Sequence, residues 1–233
     1  MMREFYGNSM TSDLLPPPAP DLAPAPASAG VGRKASISRE DIIEAALKLV
    51  GPHRSVSTLS LREVAREAGI APNSFYRQFR DIDELAVALI ERAGQSLRQI
   101  IGEARLRAPN ERSVVQGSVE SFMGQLSADD KHLHILLREG TVGSDAFKQA
   151  VDRQLNFFEE ELRLDLIRFA ESRQTGLYEP ALTAKAITRL VFAMGATAMD
   201  LPPEEVPKVT LQVVTMVRLI MTGTQALAGT RER

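Results

Sequence analysis

Between positions 60 and 78 the sequence gathers side chains that hydrogen-bond rather than react: Ser60, Asn73, Ser74, Tyr76, Arg77 and Gln78, with Pro72 among them. An asparagine amide can hold an adenine edge through a bidentate bond worth about 1–3 kcal/mol of discrimination. Hydroxyls, a guanidinium and a glutamine amide suit phosphate oxygens, which set register rather than read sequence. The chemistry on offer is recognition of a polar, anionic surface. Nothing catalytic assembles elsewhere. The chain has no Cys, so it has no thiolate nucleophile, no disulfide and no Cys-ligated zinc. His132 and His134 are two apart on a predicted helix and do not share a face. Glu159–Glu161 reads as a solvated run, and no Gly-rich phosphate loop follows a strand. The expectation is a non-enzyme without metal or cofactor.

The elements that must position those polar residues are two short helices. Ser60 and Glu63 form a Ser-x-x-Glu capping box. Leu61, Val64, Ala65 and Ala68 then recur at helical spacing. Gly69 stands where a chain leaves a helix through a left-handed residue. Ile70 fills the corner, and Pro72 suits the first turn of a second helix. Phe75 and Phe79, four apart, are its buried side. Two short helices around a Gly-containing turn make a helix-turn-helix, whose second helix can enter a DNA major groove.

Around this motif the pattern is helical throughout. Ser38–Val50 reads as a first helix, buried through Ile42, Ile43, Ala46, Leu47 and Val50. Asp81 and Glu84 open a long helix with the stripe Leu85, Leu89, Ala93, Leu97, Ile100, Ile101, Ala104. At about 1.5 Å per residue it spans roughly 40 Å and bridges from the head into the rest of the chain. Further helices are predicted at 111–127, 129–139, 144–174, 180–200 and 203–227, with breaks at Ala128, Gly140–Gly143, Thr175–Gly176 and Pro202–Pro203. No strand-like alternation competes, and no period of about 20–50 residues marks a solenoid. The predicted organisation is all-α: a Pro/Ala-rich tail at 1–32, a helix-turn-helix head at 33–80 and a helical body at 81–233.

The tail holds six of the 13 prolines and cannot form a packed core. It is either a dispensable leader or a docking segment. Arg33 and Lys34 are either a basic arm reaching for phosphate or solvated residues. Net charge is −2 overall, but it divides as −2 for residues 1–32, +3 for 33–107 and −3 for 108–233. The helix-turn-helix thus sits in the basic part of an acidic chain, which suits nucleic acid. No apolar run approaches the ~20 residues of a membrane span, and no signal-peptide stretch opens the chain, so a cytoplasmic, membrane-free protein is expected.

The order Ser60-Leu61-x-x-Val64-Ala65-x-x-Ala68-Gly69-Ile70, then Phe75-Tyr76-x-x-Phe79, then Asp83-Glu84-Leu85, resembles TetR-family transcriptional regulators. The likeness covers residues 38–107 and, through helix count and length, the remainder. Gln78 stands where the family commonly has His, and Arg80 lies upstream of the usual Lys position. A narrower likeness, carried by SLREVAREAGIAPNSFYRQFRDIDEL and LLREGTVGSDAFKQAV, is to the FabR/DesT group of fatty-acid biosynthesis repressors. That group represses unsaturated fatty acid synthesis or desaturation and senses long-chain acyl thioesters.

The resemblance implies a TetR-like fold and a repressor that binds a palindromic double-stranded DNA operator as a homodimer. Ser60 is implied as a phosphate ligand as well as an N-cap. Tyr76, Arg77 and Gln78 are phosphate candidates, with a packing Tyr the alternative. Pro72, Asn73 and Ser74 are candidate base readers, or a helix start exposed to water. Arg62 and Arg66 lie beside Glu63 and Glu67, so a solvated charged face is as good a reading as phosphate contact. Dimer contacts are implied on 180–200 (Leu182, Ala186, Leu190, Ala193, Thr197) and 203–227 (Val206, Val209, Val213, Met216, Ile220), with the small residues Ala193, Gly195, Ala196 and Ala198 allowing close approach. The large body favours a ligand chamber for a small apolar effector. For a long-chain acyl-CoA, the alkyl chain would lie among Phe122, Leu126, Leu133, Leu137, Phe158, Phe192 and Met194, and Arg138 or Lys131 would meet the coenzyme A phosphates. A repressor of an efflux or catabolic operon, answering to another apolar molecule, is the alternative.

Overall fold

Ser38 opens the first helix with a reciprocal cap: its hydroxyl accepts from Asp41 N–H at 3.1 Å and its own N–H donates to Asp41 Oδ2 at 2.8 Å. The computed structural model describes residues 37–51, 54–107, 111–128 and 131–231. The predicted tail and the Arg33–Lys34 pair lie outside the described residues. Helix α1 is Arg39–Leu49, α2 Leu61–Glu67, α3 Pro72–Phe75, α4 Ile82–Arg107 and α5 Glu111–Gly124. Then come α6 His132–Val142, α7 Asp145–Arg173, α8 Pro180–Ala198 and α9 Val206–Arg231. Among the described residues the regular structure is helical, apart from one isolated bridge between Gly51 and Arg54.

The head packs α1, α2 and α3 around Ile42, Ala46, Val64, Phe75 and Phe79, all at most 1% exposed. Helix α4 leaves this core along Leu85, Leu89 and Ala93 and continues into the body, where it packs on α5, α6 and α7. Its start repeats the capping device: Asp81 Oδ1 accepts from Glu84 N–H, and Glu84 Oε2 accepts from Arg80 N–H, both at 2.8 Å. In the body α7 lies against α8, and α9 lies against α8 and α5. Phe122, Phe192 and Phe158 meet edge-on at 5.0 and 5.3 Å between ring centres. Gly195 lets α8 reach them, because a Cβ there would stand 2.7 Å from the Phe122 ring.

Several expectations are corrected. Helix α3 is a single turn that loosens into turns through Gln78, held by Phe79 N–H to Phe75 C=O at 3.1 Å. A short 3₁₀ turn at Val56–Thr58, capped by Ser55, precedes α2 and was not expected. Helix α6 starts at His132, after Lys131 in the left-handed region (φ 60°), and runs on through Gly140 to Val142. Helix α9 begins at Val206 and passes the expected end at 227. His134 is buried rather than exposed. Glu159–Glu161 is not a free solvated run: Glu159 pairs with Arg189 at 2.7 Å, Glu160 with Arg163 at 2.6 Å and Glu161 with Arg98 at 3.2 Å.

One further expectation fails on composition. Val206–Thr230 is long and apolar enough to cross a membrane, with mean hydropathy 1.2, and only 28% of that stretch is buried. Val209, Val213, Val214 and Val217 face the body, while Leu211, Leu219 and Leu227 are more than half exposed. Apolar residues on both sides of the helix account for the hydropathy.

Candidate nucleic-acid interface and body cavity

The turn between α2 and α3 is closed by the backbone. Gly69, at φ +66°, donates to Arg66 C=O at 3.1 Å, and Ile70 N–H donates to Ala65 C=O at 2.9 Å. This paired Schellman closure needs a left-handed residue after the helix, which glycine adopts without a Cβ clash. Ile70 then packs on the core and fixes the angle at which α3 departs. Phe75 and Phe79 lie 5.6 Å apart beneath it. Arg39 seals the joint from α1: its guanidinium sits 3.9 Å over the Phe79 ring, donates to Gln78 C=O at 2.7 Å and pairs with Glu84 at 3.0 Å.

On this base Pro72, Asn73, Tyr76 and Arg77 are exposed, and Ser74 is half-buried. Tyr76 is 60% exposed, with its ring edge-on to Phe75 at 5.9 Å, so the ring packs while the hydroxyl side stays open. Gln78 is placed differently from the expectation: its amide donates to Ile37 C=O at 3.1 Å and straps the end of the α3 segment to the start of α1. Ser60 spends both donors on Glu63, its hydroxyl at 2.7 Å and its N–H at 3.2 Å. Arg54 in turn reaches both Glu63 oxygens at 3.1 Å. Ser60 is therefore an N-cap in this state, with its hydroxyl and N–H already donated. Arg62, Arg66 and Arg77 are exposed and make no ion pair among the described residues.

Four carboxylates of the head share one electrostatic condition. Hydrogen bonds from the Ser38 backbone and hydroxyl hold Asp41 below the usual carboxylate range. The Ser60 hydroxyl and then Arg54 do the same for Glu63. Arg80 lowers Asp81, and the Arg80 backbone N–H, then Arg39, lower Glu84. A group with its folded pKa below its unfolded value adds stability above the unfolded value, and loses it as pH falls through the folded one. Unfolded carboxylates titrate near pH ~4. The head should therefore keep full stability above about pH 5 and melt at progressively lower temperature below pH ~4. Thermal scans followed by circular dichroism from pH 7 to pH 3 check this, and a melting temperature that stays flat to pH 3 contradicts it.

Glu139 ties the head to the body. It is fully buried at the end of α6, and its Oε1 accepts from the Ser55 hydroxyl at 2.7 Å and the Val56 N–H at 3.0 Å. Lys131, at the other end of α6, donates to the last carbonyl of α1, Val50 C=O, at 2.8 Å. Glu139→Ala strands the buried Val56 N–H and frees the part-buried Ser55 hydroxyl, which costs about 1–3 kcal/mol and lowers the melting temperature by roughly 2–12 °C. Glu139→Gln keeps an acceptor for both donors and should lose less than half as much. Equal losses for the two variants would show that the acceptor does not matter.

The body holds a partly open cavity of about 110 Å³ walled by α4, α5, α7, α8 and α9. Phe122, Phe158 and Phe192 line it together with Ile101, Leu166 and Met221. Leu126, Leu133, Leu137, Arg138 and Met194, named from the sequence, do not line it. Leu133 and Leu137 are core, Leu126 and Met194 pack against that core, and Arg138 is half-buried on α6. Lys131 is engaged by Val50 and is likewise absent from the wall. The polar groups that do line the cavity are Arg105, Ser118, Asp165 and Thr188. Among the described residues no group of three or more His, Asp or Glu side chains could hold a metal ion.

The described residues thus form a capped helix-turn-helix followed by a helical body that bears a cavity. Residues 42–89, which span the helix-turn-helix, match the sequence profile of bacterial regulatory proteins of the tetR family. The whole fold agrees. A transcriptional regulator from Pseudomonas aeruginosa PAO1, 18% identical, aligns over 84% of this chain and 93% of its own with a TM-score of 0.63. A TetR-family regulator from Streptomyces coelicolor, 21% identical, aligns over 81% and 82% with a TM-score of 0.61. RolR in complex with resorcinol, 19% identical, aligns over 77% and 86% with a TM-score of 0.56.

Proposed function

We propose that this protein is a ligand-responsive repressor that binds a palindromic operator as a homodimer in the cytoplasm. The observation that carries the reading is the exposed Pro72–Arg77 segment standing on buried Phe75 and Phe79. Pro72, Asn73 and Ser74 lead it and read bases, while Tyr76 and Arg77, with Ser60 once Glu63 yields, hold phosphates. One head reads only a few base pairs, so two must act together about 34–36 Å apart, or on bent DNA. The dimer contact uses α8 through Leu182, Ala186, Leu190, Ala193 and Thr197, which are exposed or half-buried. On α9 it uses Leu211, Met216, Leu219 and Leu227, since Val209 and Val213 are consumed inside the subunit. Gly195 and Ala198 are likewise buried within it.

The effector occupies the body cavity, and α4, shared by head and cavity wall, carries the coupling, typically about 1–3 kcal/mol. The narrow sequence likeness makes a long-chain acyl thioester such as acyl-CoA the effector and unsaturated fatty acid synthesis or desaturation the controlled process. The apolar wall of Phe122, Phe158 and Phe192 supports the alkyl part of that reading. The cavity volume favours a second one: about 110 Å³ suits a compact apolar molecule, as resorcinol is in RolR, and a repressor of an efflux or catabolic operon.

Selection of duplexes from a random pool tests the function. The expected product is a palindrome bound with affinity that falls steeply with salt, as phosphate contacts require. Asn73→Ala should relax selection at one position per half-site and cost about 5–150-fold in affinity. Adding saturated or unsaturated acyl-CoA should change that affinity. Absence of any salt-sensitive duplex binding removes the repressor reading, and identical affinities with and without acyl-CoA remove the thioester.

A further inference from the structure

Resting on the reading of the body cavity as an effector site, we infer that its occupant is an apolar molecule ending in a single carboxylate, seated on Arg105 and Ser118. The cavity wall is apolar except for Arg105, Ser118, Asp165 and Thr188, and among these α4 and α5 each bring a buried donor without a hydrogen-bond partner: Arg105 Nε and Ser118 Oγ. Asp165 Oδ2 lies 2.7 Å from that Nε but off the direction of its N–H, so the two are an ion pair without a hydrogen bond. Two buried donors that want acceptors, on the wall of an apolar cavity, describe a seat for an oxygen anion.

Charge around Arg105 points the same way. Arg98, Arg105 and Arg168 face Glu161 and Asp165, which leaves one positive charge in excess. The Arg105 side chain is 12% exposed and Asp165 16%, so this pair is held largely out of water, where a further anion on the guanidinium gains most, while Arg168, 72% exposed, carries its charge into solvent. Asp165 also pairs with Arg168, and Glu161 with Arg98. When Arg105 turns to a ligand carboxylate, both acids therefore keep a guanidinium. A cationic ligand on Asp165 has no such balance, because it would add to an existing positive excess. A neutral ester or alcohol offers acceptors to the two donors but no charge to the guanidinium.

Isothermal titration calorimetry with octanoate, methyl octanoate, octanol and octylamine decides it. Octanoate should bind at least tenfold more tightly than the other three, and Ser118→Ala should weaken it severalfold. Arg105→Met, which keeps the apolar stem, should erase its advantage over the ester. Asp165→Asn, which releases Arg105 from its competitor, should strengthen octanoate binding, an effect that a misfolded variant would not produce. Equal affinity for acid, ester and alcohol overturns the carboxylate seat but leaves an apolar effector site standing. Preference for octylamine overturns it in favour of Asp165. If none of the four binds, the cavity is not an effector site and both readings fall.

Discussion

Phe79→Ala costs about 3–5 kcal/mol and lowers the melting temperature by roughly 6–20 °C. The ring is 1% exposed and has no solvent into which the lost volume could relax. Its removal opens a hole beside Phe75, and it takes away the surface on which the Arg39 guanidinium sits at 3.9 Å. Arg39 is also the donor to Gln78 C=O and the partner of Glu84, so the same change loosens the joint of α1, α3 and α4. Against a total stability of about 5–15 kcal/mol this is a large fraction. Duplex affinity should fall further than the melting data alone require, because the exposed face of α3 no longer holds one orientation. Phe79→Leu, which keeps most of the volume, should lose less than half as much. Circular dichroism melting and fluorescence anisotropy on a selected duplex measure both effects, and a loss under 1 kcal/mol would mean that Phe79 does not set the head.

The head was legible because its signals are local. Ser38 with Asp41, Ser60 with Glu63 and Asp81 with Glu84 mark three helix starts within three residues each; the structure forms the reciprocal bonds at the first two, and at the third Asp81 caps Glu84 N–H while Glu84 reaches back to Arg80 N–H. Gly69 and Pro72 mark a stop and a start by backbone geometry alone. The inward turn of Gln78 was not legible, since its partner, Ile37 C=O, lies 41 residues away. The same holds for Glu139, whose donors are Ser55 and Val56: a buried carboxylate on a helix looks like any surface glutamate until its distant partners are placed.

The cavity was half legible for a related reason. Residue type found Phe122, Phe158 and Phe192, because aromatic side chains in a helical body must be buried somewhere. Type cannot say which apolar residues border empty space, so Leu133 and Leu137, which are core, looked equally suitable. The cations were misplaced by the same reasoning, which sought them on α6 beside the phosphates of a presumed ligand. Periodicity held the better signal: Leu97, Ile101 and Arg105 are spaced by four along the buried stripe of α4, so an arginine interrupts an apolar face. A charge on a buried stripe at helical spacing requires an internal counter-charge, and Asp165 supplies that charge without accepting the Nε hydrogen bond.

Leu219→Glu, by contrast, should leave the subunit folded and break the assembly. Leu219 is 68% exposed in the single subunit, so the change removes little internal packing. In a two-fold interface it is made twice, and the two glutamates fall on surfaces that meet. Each copy forfeits the burial of a leucine, about 1.5–3 kcal/mol, before the cost of desolvating a charge is added. A total of about 3–6 kcal/mol weakens the dimer roughly 10²–10⁴-fold. Operator affinity must fall with it, because a lone head keeps only half the contacts and loses the fixed spacing between recognition segments. Sedimentation velocity should show a monomer at micromolar concentration with an unchanged melting profile for the isolated subunit. The companion change Val213→Glu, at a fully buried position on the opposite face of α9, should instead unfold the body. That contrast separates the two faces of one apolar helix: if Leu219→Glu stays dimeric and grips the duplex as before, the second copy docks elsewhere.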